Sequence, residues 1–503
     1  MFWQRACICT SSAPTAVSII SIGILIINLQ LGFLFVCITI AHVNSAPSEN
    51  IKPIRSNLAS NPRYIAIYIL ENLFQHRISL KQQFDSDLTA KLSSEDRGLV
   101  KAITHETLRN LSGIDSAIAL FLKKPLPPKN HDIQNILRIA LAQLFVLKIA
   151  DYAVVDSAVK LAENMGRAPL KAMVNGVLRS AIRERDRVHK ALQAKPRSNW
   201  FTKKLGDDYG KAIAHEIMLA SRAMPDLDIT TAGDATALYR KFLDAGINGV
   251  VTAERQLRIP AVSQVSMLPE FAASENVYRW WVQEYSASLP ARIMASFFAE
   301  NRSRDSESPL LGLKILDLCA APGGKTAQLV GYGAEVTALD SSHIRLLRLM
   351  ENMERLKMRV ETVNADATIW RSPQLFDAIL LDAPCTASGT LRRNPDIPYT
   401  KCLEDIDELS EIQFKIAVNA LYSLKPGGVI LYSTCSLFKQ EGEEVVQRLL
   451  EENPQLRRIP ITINRHGLHK NLINERGELR VTHQSDEVSN VDGFFSALLG
   501  LGG

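Results

Sequence analysis

The sequence predicts a multi-domain protein: an all-α bundle, a small α+β middle region, and a C-terminal α/β region built on a doubly wound sheet. Three observations lead there. Apolar residues recur at three- and four-residue spacing through residues 57–195, the pattern of packed amphipathic helices. Short strand-like runs then mix with helical ones up to residue 308. From Leu311 onward, brief apolar β-branched runs alternate with helical patterns, the βαβ signature of a parallel sheet with its ligand site at the carboxyl ends of the strands. A chain of 503 residues is also too long for one core. The expected divisions are 1–56, 57–195, 196–308 and 309–503.

Residues 1–56 form an extension. Val17 to Ala41 is uncharged, apolar and long enough to span a bilayer. It reads as a membrane span, as an overlong signal peptide, or as an upstream artefact of the gene model. The rest of the chain reads as cytoplasmic and monomeric, with a membrane role only if this segment is genuine.

In the bundle, the expected helices are Arg63 to Phe74, Asp96 to Leu111, Ile133 to Ile149, Val155 to Met165 and Leu170 to Arg185. Gly113, Pro125 to Pro128, Asp151 and Gly166 to Pro169 mark the breaks. In the middle region Leu227 to Thr230 and Gly249 to Thr252 read as strands, and Thr236 to Ala245 and Ser286 to Ala299 as helices. Asn301 to Ser308 reads as a linker. The C-terminal strands are expected at Leu313 to Leu318, Glu335 to Leu339, Arg359 to Val363, Phe376 to Leu381 and Gly428 to Tyr432. The helices between and after them are Lys325 to Val330, Ile344 to Leu356, Leu403 to Leu424 and Glu441 to Glu451.

Composition is that of an ordinary globular protein, and a net charge of +5 permits a polyanionic partner without requiring one. The seven cysteines contain no CxxC pair, so neither structural zinc nor a disulfide framework is expected. No metal site is expected elsewhere.

The first C-terminal strand ends in Asp317-Leu318-Cys319-Ala320-Ala321-Pro322-Gly323-Gly324-Lys325-Thr326. The Pro-Gly-Gly turn lets backbone approach a ligand at the next helix N-terminus. A phosphate-binding P-loop is excluded by spacing, because the required first glycine is Cys319. Asp340, Asp366 and Asp382 end or follow the next three strands, and carboxylates there are placed to accept from ribose hydroxyls. Together these mark a nucleoside-bearing cofactor, and the absence of G-x-G-x-x-G counts against nicotinamide.

Cys385 follows strand four (Asp-Ala-Pro-Cys) and Cys435 follows strand five (Ser-Thr-Cys-Ser). A lone buried cysteine is usually a small hydrophobe. Two at equivalent strand ends, each in a polar turn, suggest chemistry. Methylation of cytosine at carbon 5 needs a thiolate, since addition at carbon 6 converts the ring into a nucleophilic enamine. Asp382 is placed to bond the base and help protonate its ring nitrogen.

These motifs, with Arg392-Arg393-Asn-Pro-Asp-Ile397 and Asp492-Gly-Phe-Phe495, resemble the RsmB/Sun (Fmu) branch of the RNA cytosine-5 methyltransferases. The helical region resembles the NusB-like RNA-binding domain of that branch, through Asp96-Arg97, Ala140 to Gln143, Tyr152 to Val154 and Val174 to Arg179. The resemblance covers about residues 60–500 and implies a Rossmann-like methyltransferase domain at 309–503. It implies S-adenosylmethionine bound by Cys319, Ala320, Ala321, Pro322, Gly323, Gly324, Lys325, Asp340, Asp366 and Asp382. It also implies Cys435 as nucleophile, Cys385 as assistant in product release, and 16S ribosomal RNA as substrate. The alternatives are another RNA such as transfer RNA, or a non-catalytic RNA-binding factor.

Arg392 and Arg393, next to the catalytic turn, are expected to contact substrate. The basic run Arg179, Arg183, Arg185, Arg187, Lys190, Lys195 and Arg197 reads either as a phosphate track or as a solvated face. Two stretches depart from the family pattern: Thr386-Ala-Ser-Gly389 after the Pro-Cys, and Glu284-Tyr285 where Asp-Ala is common.

Overall fold

The computed structural model describes residues 53–193, 199–262, 265–271, 279–302, 308–462, 470–482 and 490–502. The apolar segment at 17–41 lies outside them, as do Lys195 and Arg197 of the basic run and most of the linker ahead of Ser308. No helix among the described residues is long and apolar enough to cross a membrane.

Eight helices make the bundle: α1 (Pro62–His76), α2 (Leu80–Phe84), α3 (Ser94–Arg109), α4 (Leu111–Phe121), α5 (His131–Leu141), α6 (Asp151–Asn164), α7 (Lys171–Arg183) and α8 (Arg185–Leu192). Local chemistry sets several ends. The Asn61 side chain accepts from the amides of Arg63 and Tyr64, with Pro62 at the first helical position. Ser93 caps α3 through the Asp96 amide at 3.0 Å. The apolar stripes of α1, α3, α4, α5, α6 and α7 converge on one core that includes Ile65, Ile69, Val100, Ile136, Leu137 and Leu178.

Two expectations need correction here. The helix foreseen over Ile133 to Ile149 ends at Leu141 and continues as a π-helical turn, Ala142–Val146. The buried Gln143 amide donates to the Ile139 carbonyl at 2.9 Å and its oxygen accepts from Arg63 Nε, so a side chain competes inside the helical ladder. Gly113, read as a break, lies inside α4. A Cβ there would meet Leu192 Cα at 2.8 Å and the Leu192 carbonyl oxygen at 2.9 Å, so the glycine lets α4 and α8 touch.

Next come α9 (Trp200–Tyr209), α10 (Lys211–Ala220), β1 (Leu227–Thr231), α11 (Ala235–Asp244), β2 (Val250–Ala253), β3 (Gln256–Ile259), β4 (Trp280–Val282) and α12 (Tyr285–Arg302). The four strands form an antiparallel sheet ordered β2-β3-β1-β4. Asp228 on β1 ties it to α12: it pairs with Arg258 at 2.6 Å and accepts from the Tyr285 amide at 2.9 Å.

The large sheet is built from β5 (Lys314–Leu318), α13 (Gly324–Gly331), β6 (Glu335–Asp340), α14 (His343–Arg355), β7 (Glu361–Asn364), β8 (Phe376–Asp382), α15 (Ile397–Thr400), α16 (Leu403–Leu421), β9 (Leu424–Thr434), α17 (Glu443–Glu452), β10 (Leu456–Ile459), β11 (Leu479–Val481) and β12 (Phe494–Leu501). Its order is β10-β12-β9-β8-β5-β6-β7, with β11 also paired to β12. The five strands foreseen from the sequence are the parallel ones, and helices cover both faces, as their near-continuous apolar runs require. The sheet is mixed, however: β12 runs antiparallel beside β9, and β10 and β11 run antiparallel to β12.

The bundle and the sheet meet at the segment after β8. The Leu80 amide donates to Asp396 at 3.0 Å, Arg109 Nε donates to the Arg392 carbonyl at 2.9 Å, and Phe74 packs edge-on to Tyr399 at 5.5 Å. Replacing Gly113 by Val forces α8 away from α4. Overpacking of this kind costs about 1–3 kcal/mol, so the expected outcome is a lower thermal unfolding midpoint, read by circular dichroism at 222 nm.

Candidate active site

The site lies where β5, β6, β8 and β9 end. Residues Cys319–Gly323 bridge β5 to α13. Cys319 (φ 61°) and Gly323 (φ 99°) adopt left-handed conformations, and the loop is pinned by the Ala320 amide on the Leu339 carbonyl and the Ala321 amide on Asp340 Oδ2 at 3.1 Å. Arg345 bonds the Ala321 carbonyl from the other side. Asp340 is buried, and its second oxygen accepts from the Ser342 amide at 2.9 Å. This carboxylate therefore shapes the loop and keeps further lone pairs for a ligand. Asp366 is exposed and binds its own turn through the Thr368 amide and hydroxyl.

Asp317, one turn below, was quoted in the sequence motif without a role. It is wholly buried, Oδ2 accepts from Thr326 Oγ1 at 2.6 Å, and Oδ1 has no hydrogen-bond partner among the described residues. Burial pushes its carboxyl up to about 7. Burial, followed by the charges of Asp340 and Asp382, also raises the Cys319 thiol, so this cysteine stays neutral.

Lys325, on the first turn of α13, reaches across to β8. Its Nζ lies 2.8 Å from Asp382 Oδ2 and 5.3 Å from the centre of the Phe494 ring. Burial alone would lower this ammonium; Asp382, with the Cys435 side chain and Asp317, raises it overall. Phe494 and Thr326 stand in the motifs quoted from the sequence but had no role assigned there.

The parallel pairing of β8 with β9 sets Asp382 opposite Ser433, with the Ala383 amide on the Ser433 carbonyl at 2.9 Å. Beyond that pair the chains turn, and Cys385 Sγ stands 3.4 Å from Cys435 Sγ. Both thiols are partly exposed. The hydrogen bond with Cys435, and then burial, hold the Cys385 thiol well above its ordinary value. The turn after Cys385 packs backbone to backbone on the turn after Cys435: the Gly389 amide donates to the Cys435 carbonyl at 2.9 Å. A Cβ on Gly389 would fall 2.2 Å from the Gly493 oxygen, so no larger residue fits.

The two arginines divide. Arg392, foreseen as a substrate contact, is 1% exposed, and its guanidinium is committed to Asp492 Oδ1 at 2.9 Å with Glu284 at 3.7 Å. A buried carboxylate claims it, which corrects that expectation. Arg393 bonds Asp492 Oδ2 at 2.6 Å yet leaves 45% of its side chain exposed. Burial lowers it, but Asp492, Glu284 and the Cys435 side chain raise it overall, so it stands near the nucleophile candidate.

Glu284 completes the cluster by accepting from the Asp492 amide at 2.7 Å. Burial, and then the charge of Asp492, push it up to about 7. The basic run of the bundle is partly neutralised, Arg185 by Asp151 and Arg187 by Glu184. A cavity of about 530 Å³ lies between α1, α4, α5 and Tyr399, and none of the expected site residues lines it.

Acceptors dominate this edge of the sheet. The orphaned Asp317 oxygen and the carboxylate of Asp340 suit a ligand that presents an ammonium and ribose hydroxyls, and S-adenosylmethionine has both.

The Glu284 cluster sets a pH dependence. Its carboxyl titrates higher folded than unfolded, so its protonated form contributes stability that is fully present below about 4.5 and lost as pH rises toward about 7. Against Glu284→Gln, the wild type is expected to lose up to about 1.4 kcal/mol per pH unit in that window. Urea midpoints of the two proteins at pH 5, 6 and 7 measure this, and parallel trends would refute it.

Two family models match the chain: the NusB family over residues 60–183, and 16S rRNA methyltransferase RsmB/F over residues 308–500. The ribosomal RNA small subunit methyltransferase B of Xanthomonas campestris pv. campestris is 32% identical over 411 residues, covering 79% of this chain and 90% of that protein. The protein of the same name from Serratia proteamaculans is 31% identical over 453 residues, 87% of this chain and 98% of its own. Among solved structures, PH0851 shares the fold with a TM-score of 0.62 at 20% identity, over 87% of this chain and 98% of that one. The chain thus joins a NusB region to a methyltransferase region in one polypeptide, and it belongs to the RsmB/F family of methyltransferases.

Proposed function

We propose that the protein methylates carbon 5 of a cytosine in 16S ribosomal RNA, with Cys435 as the covalent nucleophile. The observation that supports this most directly is the 3.4 Å approach of Cys385 and Cys435 at adjacent strand ends, beside the Lys325–Asp382 pair. The methyltransferase family and the names of the relatives support the substrate.

S-adenosylmethionine, when bound, supplies the methyl sulfonium; the residues that would hold it are the Cys319–Lys325 loop, Asp340, Asp366 and Asp382. Cys435 is the better nucleophile because Lys325 and Arg393 both lie within electrostatic reach of it, whereas Cys385 is held as a neutral thiol. The Cys435 thiolate bonds to carbon 6. The displaced electron pair passes through carbon 4 to ring nitrogen 3, which takes a proton from the Lys325–Asp382 pair.

Carbon 5 then carries the methyl group, and nitrogen 3 returns its proton. In the adduct Cys435 is a neutral thioether, so the interaction that most strongly holds Cys385 protonated is gone. Cys385 ionises, its proton going to solvent, and the thiolate removes the proton from carbon 5. That electron pair restores the 5,6 double bond and expels Cys435 as a thiolate. Cys385, protonated again, donates to the sulfur beside it.

Three measurements test the proposal. Labelled S-adenosylmethionine should bind at equilibrium, and absence of binding would leave only an RNA-binding role. On denaturing gels with 16S ribosomal RNA, Cys385→Ala should accumulate a protein–RNA adduct, while Cys435→Ala should form none and lose turnover; the reverse pattern would exchange their roles. Bisulfite sequencing of RNA from a deletion strain should show one 16S cytosine losing protection, and a loss confined to transfer RNA would move the substrate there.

A further inference from the structure

Neither cysteine turn is held by its own strand alone. Between them lies Glu441, fully buried and read from the sequence only as the start of a helix. Its Oε1 accepts from the Thr386 amide at 2.8 Å and from Gln413 Nε2 at 3.1 Å. Its Oε2 accepts from Thr386 Oγ1 and from Ser436 Oγ, both at 2.5 Å. Thr386 directly follows Cys385, and Ser436 directly follows Cys435.

The same Gln413 amide also bonds the Pro384 carbonyl at 2.9 Å, and the Tyr432 hydroxyl lies 2.7 Å from the Glu441 carbonyl. Among the described residues four donors and no cation meet this carboxylate, an arrangement that is stabilising only while every donor stays in place.

We propose that Glu441 is a positioning residue for the thiol pair: its carboxylate fastens the Cys385 turn to the Cys435 turn and holds the two sulfurs at the separation that release of the methylated base requires. This rests on the assignment of attack to Cys435 and release to Cys385. The two turns do not depend on Glu441 equally. The Cys435 turn has ties to other elements, since Thr434 pairs with Phe495 in the sheet and Arg480 donates to the Ser436 carbonyl at 2.7 Å, whereas Ser388 Oγ and the Gly389 amide tie the Cys385 turn only to the Cys435 turn itself. Thr386 has its amide and its hydroxyl both on Glu441. Loss of the carboxylate therefore frees Cys385 first, so attack persists and release slows. The charge of Glu441 also helps keep the Cys385 thiol protonated at rest.

The experiment uses the full chain, S-adenosylmethionine and in vitro transcribed 16S ribosomal RNA, with adduct read on denaturing gels beside steady-state turnover. Glu441→Ala should lower kcat about tenfold or more, leave KM for S-adenosylmethionine within about twofold, and accumulate adduct as Cys385→Ala does. Glu441→Gln should restore release, because its amide can donate to the two hydroxyls, which can turn to accept.

If Cys385→Ala itself accumulates no adduct, the assignment of the thiols fails whatever Glu441 does. If Cys385→Ala accumulates adduct, then wild-type turnover in Glu441→Ala, or loss of turnover without adduct, overturns the positioning role. Should Glu441→Ala fail to fold, Thr386→Val removes one of the four bonds and decides by the same criteria: adduct supports the role, and no adduct overturns it.

Discussion

The site depends on one constraint, the parallel pairing of β8 with β9 in the interior of the large sheet. Asp382 stands opposite Ser433, and both strands are buried on both faces through Ile379, Leu380, Leu381, Ile430 and Leu431. A slip of one residue would turn every one of these side chains to the opposite face. The separation of the two sulfurs, two and three residues beyond that fixed pair, inherits the rigidity of the core. Lys325 is measured from the same strands, because its partner Asp382 is the last residue of β8.

Burying this much charge is costly, and the manner of compensation differs from group to group. Asp340 is satisfied by two backbone amides and Asp382 by an ammonium, while Asp492 holds two guanidinium groups. Burial pushes Asp317, one of whose oxygens has no partner among the described residues, up to about 7, and burial followed by the charge of Asp492 does the same to Glu284 although the amides of Ser286, Ala287 and Asp492 donate to it. Asp317 keeps one carboxylate oxygen without a partner among the described residues, whereas Glu284 lies 3.7 Å from the Arg392 guanidinium. The first suits ligand recognition and the second suits structure.

What could be read from the sequence follows from how local each signal is. The five parallel strands announce themselves as short apolar runs, and the cysteines follow two of them directly. The antiparallel edge was missed because β12 is buried on both faces and has no alternation to mark it. Arg392 was expected to contact substrate because it follows the catalytic turn; its partner Asp492 is 100 residues away. Glu441 fails the same way, since Thr386 lies 55 residues before it. Gly113 resembled a break, and only the approach of Leu192 explains it. Functional side chains that act through distant partners leave no local periodicity or spacing to detect.

The segment from Ala387 to Tyr399 is where the parts of the chain become one machine. Its start is locked to the Cys435 turn by Gly389, its arginines to Asp492 ahead of β12, and its end to the bundle by Arg109, Leu80 and Phe74. The helices α9 and α10 close the remaining side: Phe201 and Leu205 pack on Leu391 and Phe438, and the Tyr209 hydroxyl bonds the Leu437 carbonyl at 2.5 Å. The half-exposed guanidinium of Arg393 sits on that same segment, between the surface that meets solvent and the thiol pair it adjoins.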